Sequence, residues 1–207
     1  MTGGNIQLTT KGTGATALMN EGGELNVTGG SITSTGYGIT SRSQLGTAKS
    51  TVSNVTITKT AQAGAVVQAD NNGQMTLKNC TLNANGYLAA YCDTTASSNL
   101  LLLINCKWGQ ASIGGDKTVA VNTDGNGYDV YLYGYESESS INFPTWTEAN
   151  GQDDIIWQSG TKVNNSNRVA WYYRVNKSAH KNENGTYTTH IYKADKATLI
   201  IGFSITL

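Results

Sequence analysis

Eight carboxylates crowd between residues 108 and 159: Asp116, Asp124, Asp129, Glu136, Glu138, Glu148, Asp153 and Asp154. Acids held about 5–9 Å apart, one protonated and one ionised, are what glycoside hydrolysis requires. Glu136 and Glu138 lie two apart, so on an outward strand they share a face. With Asp153 and Asp154 they are the candidate catalytic residues if the chain is an enzyme. No spacing singles out a pair, and an acidic solvated face is the simpler reading. Asp124-Gly125-Asn126-Gly127-Tyr128-Asp129 alternates oxygen ligands with glycines, as calcium loops do. It lacks the following glycine and distal glutamate of an EF-hand, and Asp-Gly-Asn-Gly also reads as a turn. Asp124, Asn126 and Asp129 are therefore the one metal candidate, with calcium the only cofactor considered. His180 and His190 have no Gly-x-Ser-x-Gly context near them and are expected at the surface or an interface.

The aromatic residues carry a second kind of chemistry. Of the Tyr and Trp residues, only Tyr37, Tyr87 and Tyr91 precede residue 108. In the segment Tyr128–Tyr135, inward Val130 and Leu132 would send Tyr131, Tyr133 and Tyr135 outward together. An exposed aromatic row marks an interaction surface. Such rings suit stacking on sugars, and they equally suit a subunit interface or burial under the C-terminal segment. The three tyrosines are the candidate ligand-binding residues.

What positions these residues is a repeat. Leu25–Ile32, Ser50–Ile57, Met75–Leu82 and Leu101–Trp108 are versions of one stretch at a period near 25 residues, the mark of a solenoid, propeller or array. Each holds two short apolar alternations with a break between them, a period of two and hence strands. A third apolar segment follows each: Ala15–Met19, Tyr37–Ile39, Gly64–Val67, Tyr87–Ala90 and Thr118–Val121. Three short parallel strands per period make one coil of a parallel β-helix, with right-handed connections expected. A partial coil precedes at Ile6 and Leu8, and another full one is expected from Tyr128, giving five to six coils. Val27, Val52, Leu77 and Leu103 should stack, as should Ile32, Ile57, Leu82 and Trp108. Asn54, Asn79 and Asn105 occupy the break, and an inward ladder of amides is expected there. On that expectation the sequons Asn54-Val55-Thr56 and Asn79-Cys80-Thr81 are too buried for glycosylation. Cys80 and Cys106 hold equivalent places, which suggests stacked buried thiols over a disulfide, with Cys92 the odd one.

Stretches such as Gly22-Gly23-Glu24-Leu25-Asn26-Val27-Thr28-Gly29-Gly30-Ser31-Ile32-Thr33 resemble coils of the pectin lyase-like β-helix superfamily, closest in style to pertactin-like autotransporter passengers and phage tailspikes. The resemblance covers roughly residues 3–140. It implies a polysaccharide lyase, glycoside hydrolase, adhesin or virion receptor-binding protein, without choosing among them. An ice-binding face is disfavoured because the hydroxyl row Ser31, Thr56, Thr81 ends at Lys107.

Beyond residue 140 the style changes. Asn164-Asn165-Ser166-Asn167 reads as a loop, Val169–Val175 as an aromatic strand, and Asn184-Gly185 as a hairpin turn before Thr186–Tyr192 and Ala197–Leu207. The expectation is all-β: a right-handed parallel β-helix over 1–140 and a small antiparallel β cap or association domain over 141–207. Formal net charge is zero, which gives no electrostatic case for nucleic acid. Residues 108–159 are strongly acidic and 160–207 basic, so the two bands should meet within or between chains. With Trp171, Tyr172 and Tyr173 expected at the surface, this suggests a homotrimer through the C-terminal domain, favoured by the tailspike resemblance. No membrane span is visible. The first residues lack the basic region and apolar run of a signal peptide, so the chain reads as part of a longer protein or a mature form. The leading function is a non-catalytic extracellular, cell-surface or virion module that binds a surface polysaccharide or host receptor. A polysaccharide-degrading enzyme and a structural stalk are the alternatives.

Overall fold

The computed structural model describes residues 1–9, 14–44, 46–61, 64–93, 96–149 and 151–207. Its architecture is a parallel β-solenoid of about four turns followed by antiparallel sheet. One face stacks Asn5–Leu8, Ser31–Ser34, Thr56–Lys59 and Thr81–Asn83. A second stacks Thr16–Asn20, Tyr37–Ser41, Ala65–Ala69, Leu88–Cys92 and Ile113–Gly115. The third runs Gly23–Thr28, Ala48–Ser53, Gly73–Lys78, Leu100–Ile104 and Thr118–Thr123. The expected registers hold: Val27 pairs with Val52, Val52 with Leu77 and Leu77 with Leu103, and Ile32 pairs with Ile57 and Ile57 with Leu82. These side chains are buried, whereas Trp108 at the end of the second stack is half-exposed. No described helix is long and apolar enough to cross a membrane.

The break residues have a different role from the one expected. Gly29, Asn54, Asn79 and Asn105 sit at matching corners with φ of 67°, 56°, 53° and 51°. This is left-handed backbone, which Gly and Asn tolerate best. Each corner N–H donates to the next coil's backbone, Gly29 to Ser53, Asn54 to Lys78, Asn79 to Ile104 and Asn105 to Val121. The polar backbone is thus satisfied without side chains, and no amide ladder forms. Asn54 and Asn79 are exposed, so burial does not exclude their sequons. Only the Asn105 amide is engaged, donating to Thr123 Oγ1 at 2.9 Å and accepting from Thr123 N at 2.8 Å.

The solenoid also ends earlier than five to six coils. Thr118–Thr123 belongs to the third face, and Ile113–Gly115 takes the place expected for it. Gly127–Tyr133 then pairs antiparallel with Thr118–Thr123. The Asp124-Gly125-Asn126-Gly127 segment is the turn that reverses the chain, with Gly125 and Gly127 at φ 82° and 150°. Arg168–Asn176 and Thr161–Asn165 add further antiparallel strands, so eight strands share one continuous sheet.

That sheet is apolar on both sides at Leu100–Ile104, Thr118–Thr123 and Gly127–Tyr133. Leu101, Leu103, Ala120, Tyr133 and Ala170 face the solenoid core. Leu102, Ile104, Val119, Val121, Val130 and Leu132 pack in a second core with Phe143, Tyr187, Ile191 and Phe203. The covering sheet is Thr186–Lys193 paired with Ile141–Asn142, Thr145–Thr147 and Leu199–Thr206. The expected three-stranded meander is therefore divided: Arg168–Asn176 lies in one sheet and Thr186–Lys193 in the other, so Asn184-Gly185 does not join paired neighbours. Cys80, Cys92 and Cys106 are all free and buried, as stacked thiols require.

Because the corners need left-handed backbone and not an amide, Asn79→Gly should leave stability nearly unchanged, while Asn79→Ala should cost about 1–2 kcal/mol. Urea unfolding of the two variants checks this, and equal losses would restore a role for the amide.

Candidate functional site

The three tyrosines expected on one outer row do not share a face. Tyr133 is fully buried in the solenoid core, and Tyr131 is half-buried against the same core with its ring 5.1 Å from that of Tyr172. Tyr135 lies beyond the end of the strand and packs on the second core beneath Lys193. Burial pushes the Tyr133 and Tyr135 phenols up to about 12. The cause is the double-sided sheet: both alternations of Gly127–Tyr133 have a core to face.

The acidic and basic bands meet within the chain. Arg168 pairs with Glu136, donates to Gly115 O at 2.5 Å and lies 3.8 Å from Asp116. Arg174 grips both oxygens of Asp124 and lies 3.5 Å from Asp129, which also accepts from the Tyr172 hydroxyl. A guanidinium thus stands among the carboxylates of the calcium candidate, and Asp124 Oδ1 accepts from the Asn126 backbone N–H. Lys193 pairs with Glu138 at 2.7 Å. Asp154 accepts from Thr147 N and Oγ1 and lies 3.0 Å from His180 Nδ1, while Asp153 is exposed on the adjoining short helix. Of the four acids of the enzyme reading, Glu136 and Glu138 are thus in separate ion pairs and Asp154 is bonded to Thr147 and His180. Burial opposes the charge of Glu136, yet Arg168 holds it below the usual range. His180, expected with His190 at the surface or an interface, is buried, and His190 is half-buried between Trp146 and Tyr192. Trp171 is buried, and Tyr172 and Tyr173 are partly so.

The concave feature of the surface lies elsewhere, around Trp108. Thr81 and Lys107 bridge in parallel, which carries the chain off the last full coil and sets Trp108 at the solenoid's edge. The turn between Thr161–Asn165 and Arg168–Asn176 has Ser166 and Asn167 at φ 53° and 57°, the two-positive-φ geometry of a tight hairpin. It reaches back to the solenoid: Trp108 Nε1 donates to Ser166 Oγ at 2.6 Å, Ser166 Oγ donates to Asn165 Oδ1, and Asn167 Nδ2 donates to Gln110 O at 2.7 Å. The indole is thereby fixed in a trough of two lobes. The first, about 630 Å³, is walled by Thr58, Thr81, Asn83 and Tyr87 on the solenoid side. The second, about 750 Å³, is walled by Asn122, Asn164 and Asn165 on the hairpin side. Both are lined by Lys107, Trp108, Gly109, Gln110 and Asn167.

Side-chain amides are the commonest polar groups of the lining, and among the described residues Lys107 is its only charged one. Each amide both donates and accepts, which matches hydroxyl groups in either role. The half-exposed indole, its N–H bonded to Ser166, brings apolar ring surface to the same lining. The trough has no carboxylate to act as acid, base or nucleophile. None of Tyr131, Tyr133, Tyr135, Glu136, Glu138, Asp153 and Asp154 lines it. Cys106 lines the second lobe, and its thiol donates to Ile104 O at 3.5 Å.

Residues 117–206 match the GBS Bsp-like repeat family. The match begins beside Thr118–Thr123 and ends in the last strand, so the repeat spans the double-sheet part of the fold and shares its first strand with the solenoid. The repeat accounts for less than half of the chain. Among solved structures, the chain is similar to chitinase ChiW from Paenibacillus sp. str. FPU-7, described as a bacterial cell-surface-expressed multi-modular enzyme machinery. Identity is 8%, the TM-score is 0.25, and the match covers 100% of this chain and 24% of that one. The chain thus spans about a quarter of that enzyme's length. No curated protein matches the sequence.

Asp154 gives this region a pH signature. Burial disfavours its charge, but the Thr147 amide and hydroxyl and the His180 ring outweigh it and hold the carboxyl below its ordinary 3.8. A depressed folded value stabilises fully above the unfolded value and is lost as pH falls through the folded one. Asp154→Asn should therefore lower the melting temperature near pH 6 and narrow its gap from wild type toward about pH 3. A gap independent of pH would contradict the assignment.

Proposed function

We propose that this chain is a non-catalytic saccharide-binding module of a cell-surface protein, and that it binds through the Trp108 trough. The observation that carries the reading is the lining: one fixed indole and a surround of amides and hydroxyls with no carboxylate. Flat rings cover the apolar faces of sugars, and amides satisfy hydroxyls of either polarity. Surface placement is supported by the likeness of the coils to secreted β-helices and by the GBS Bsp-like repeat. The degrading-enzyme reading has less support, because Glu136 and Glu138 are tied into ion pairs and Asp154 is bonded to Thr147 and His180, all away from the trough. Trimerisation is not part of the proposal, since the charges and rings that suggested it are satisfied inside the chain.

Trp108→Ala should weaken binding on a glycan array about tenfold or more, the scale set by losing one buried aromatic face at about 1.5–3 kcal/mol. Circular dichroism of the variant separates loss of contact from loss of fold. Polysaccharide chain length should remain unchanged on incubation with the wild-type protein. Release of reducing ends or unsaturated sugars that Glu136→Gln or Asp153→Asn abolishes would replace this reading with the enzyme.

A further inference from the structure

We infer that the trough takes an internal stretch of a linear, uncharged polysaccharide, which passes from one lobe over Trp108 into the other. The inference rests on the saccharide reading above and adds the ligand's class and its mode of binding. Three observations lead to it. First, the two lobes share Lys107, Trp108, Gly109, Gln110 and Asn167, so they adjoin at Trp108. Second, the lobes are open depressions of about 630 and 750 Å³, in which a ligand keeps one side in solvent. A single sugar unit would leave most of the two lobes empty, whereas several linked units fill them. Third, the walls come from different parts of the fold: Thr58, Thr81 and Asn83 project from successive solenoid coils, and Asn164 and Asn167 from the hairpin beyond it. A ligand that uses both walls must extend across the seam.

The charge of the ligand follows from the same lining. Among the described residues Lys107 is the one ionic group of the lining, and the other polar contacts on offer are neutral amides, hydroxyls or backbone groups. Recognition of an acidic polymer uses several cations and is steeply weakened by salt. A surface of this kind instead gathers neutral hydrogen bonds and ring stacking, which salt barely affects.

The test is calorimetric titration of the full chain with short and long oligomers of β-1,3-glucan, β-1,4-glucan and β-1,4-xylan. Each is used with its reducing end intact and reduced, with oligogalacturonates as the charged comparison at low and high salt. For one neutral series, affinity should rise about tenfold or more from short to long oligomers, and reduction of the end should not change it. Asn83→Tyr, which obstructs the first lobe, and Asn122→Tyr, which obstructs the second, should each bring long oligomers down to the affinity of short ones. Both positions are exposed, so the fold should tolerate the change. Affinity independent of length, loss of binding on reduction of the end, or preferential salt-sensitive binding of oligogalacturonates would overturn the inference and leave Trp108 as the contact. If no series binds, or Trp108→Ala leaves binding intact, the saccharide reading fails with it.

Discussion

The strand Thr118–Thr123 is bonded on one side in parallel to Leu100–Ile104 and on the other in antiparallel to Gly127–Tyr133. The rest of the structure depends on that double pairing. It turns the third face of a solenoid into one sheet of a sandwich without a break in the backbone ladder. A solenoid end is an open edge that needs a cover, and here the cover is a continuation of the same sheet. The cost is that these strands must be apolar on both sides. Val119 and Val121 face one core while Ala120 faces the other, and all three are fully buried. Burial of Val119 and of Val121 is worth about 1.5–3 kcal/mol each.

The coils were legible because each repeats the same physical problem at the same spacing. Left-handed corners at Asn54, Asn79 and Asn105 recur every 25 or 26 residues, and inward side chains keep their phase between them. Their role was misread because a side-chain ladder and a left-handed corner select the same residue. Gly29 at the matching place settles it, since glycine has no amide to offer. The end of the solenoid was less legible, yet the sequence holds a signal for it. Leu100-Leu101-Leu102-Leu103-Ile104 and Thr118-Val119-Ala120-Val121 do not alternate, and an unbroken apolar run is how a strand buried on both faces reads. Reading Tyr128–Tyr135 as one-sided placed three tyrosines in solvent when the second core had already claimed the opposite alternation.

The trough was hidden for a related reason. Trp108 falls in register with Ile32, Ile57 and Leu82, so periodicity assigns it to the core. Its size does not fit that column, and it is followed by Gly109-Gln110 where earlier coils continue as strand. The partners that fix it, Ser166 and Asn167, lie nearly sixty residues later, beyond the reach of any local pattern. The charge bands were legible as complementary, but only the hairpin geometry brings Arg168 and Arg174 onto Glu136 and Asp124. That same hairpin builds the second wall of the trough, so the ion pairs and the trough share one element.

If solenoid and sandwich share a sheet, they should unfold as one body. Native-state hydrogen exchange resolved by segment is the most direct test. The amides of Leu100–Ile104, Thr118–Thr123 and Gly127–Tyr133 should exchange with a common, maximal opening free energy equal to that of global unfolding. Exchange of residues 127–206 through a separate, lower-energy opening that leaves the coils protected would contradict the account, because the strand at the seam would then not join the two parts.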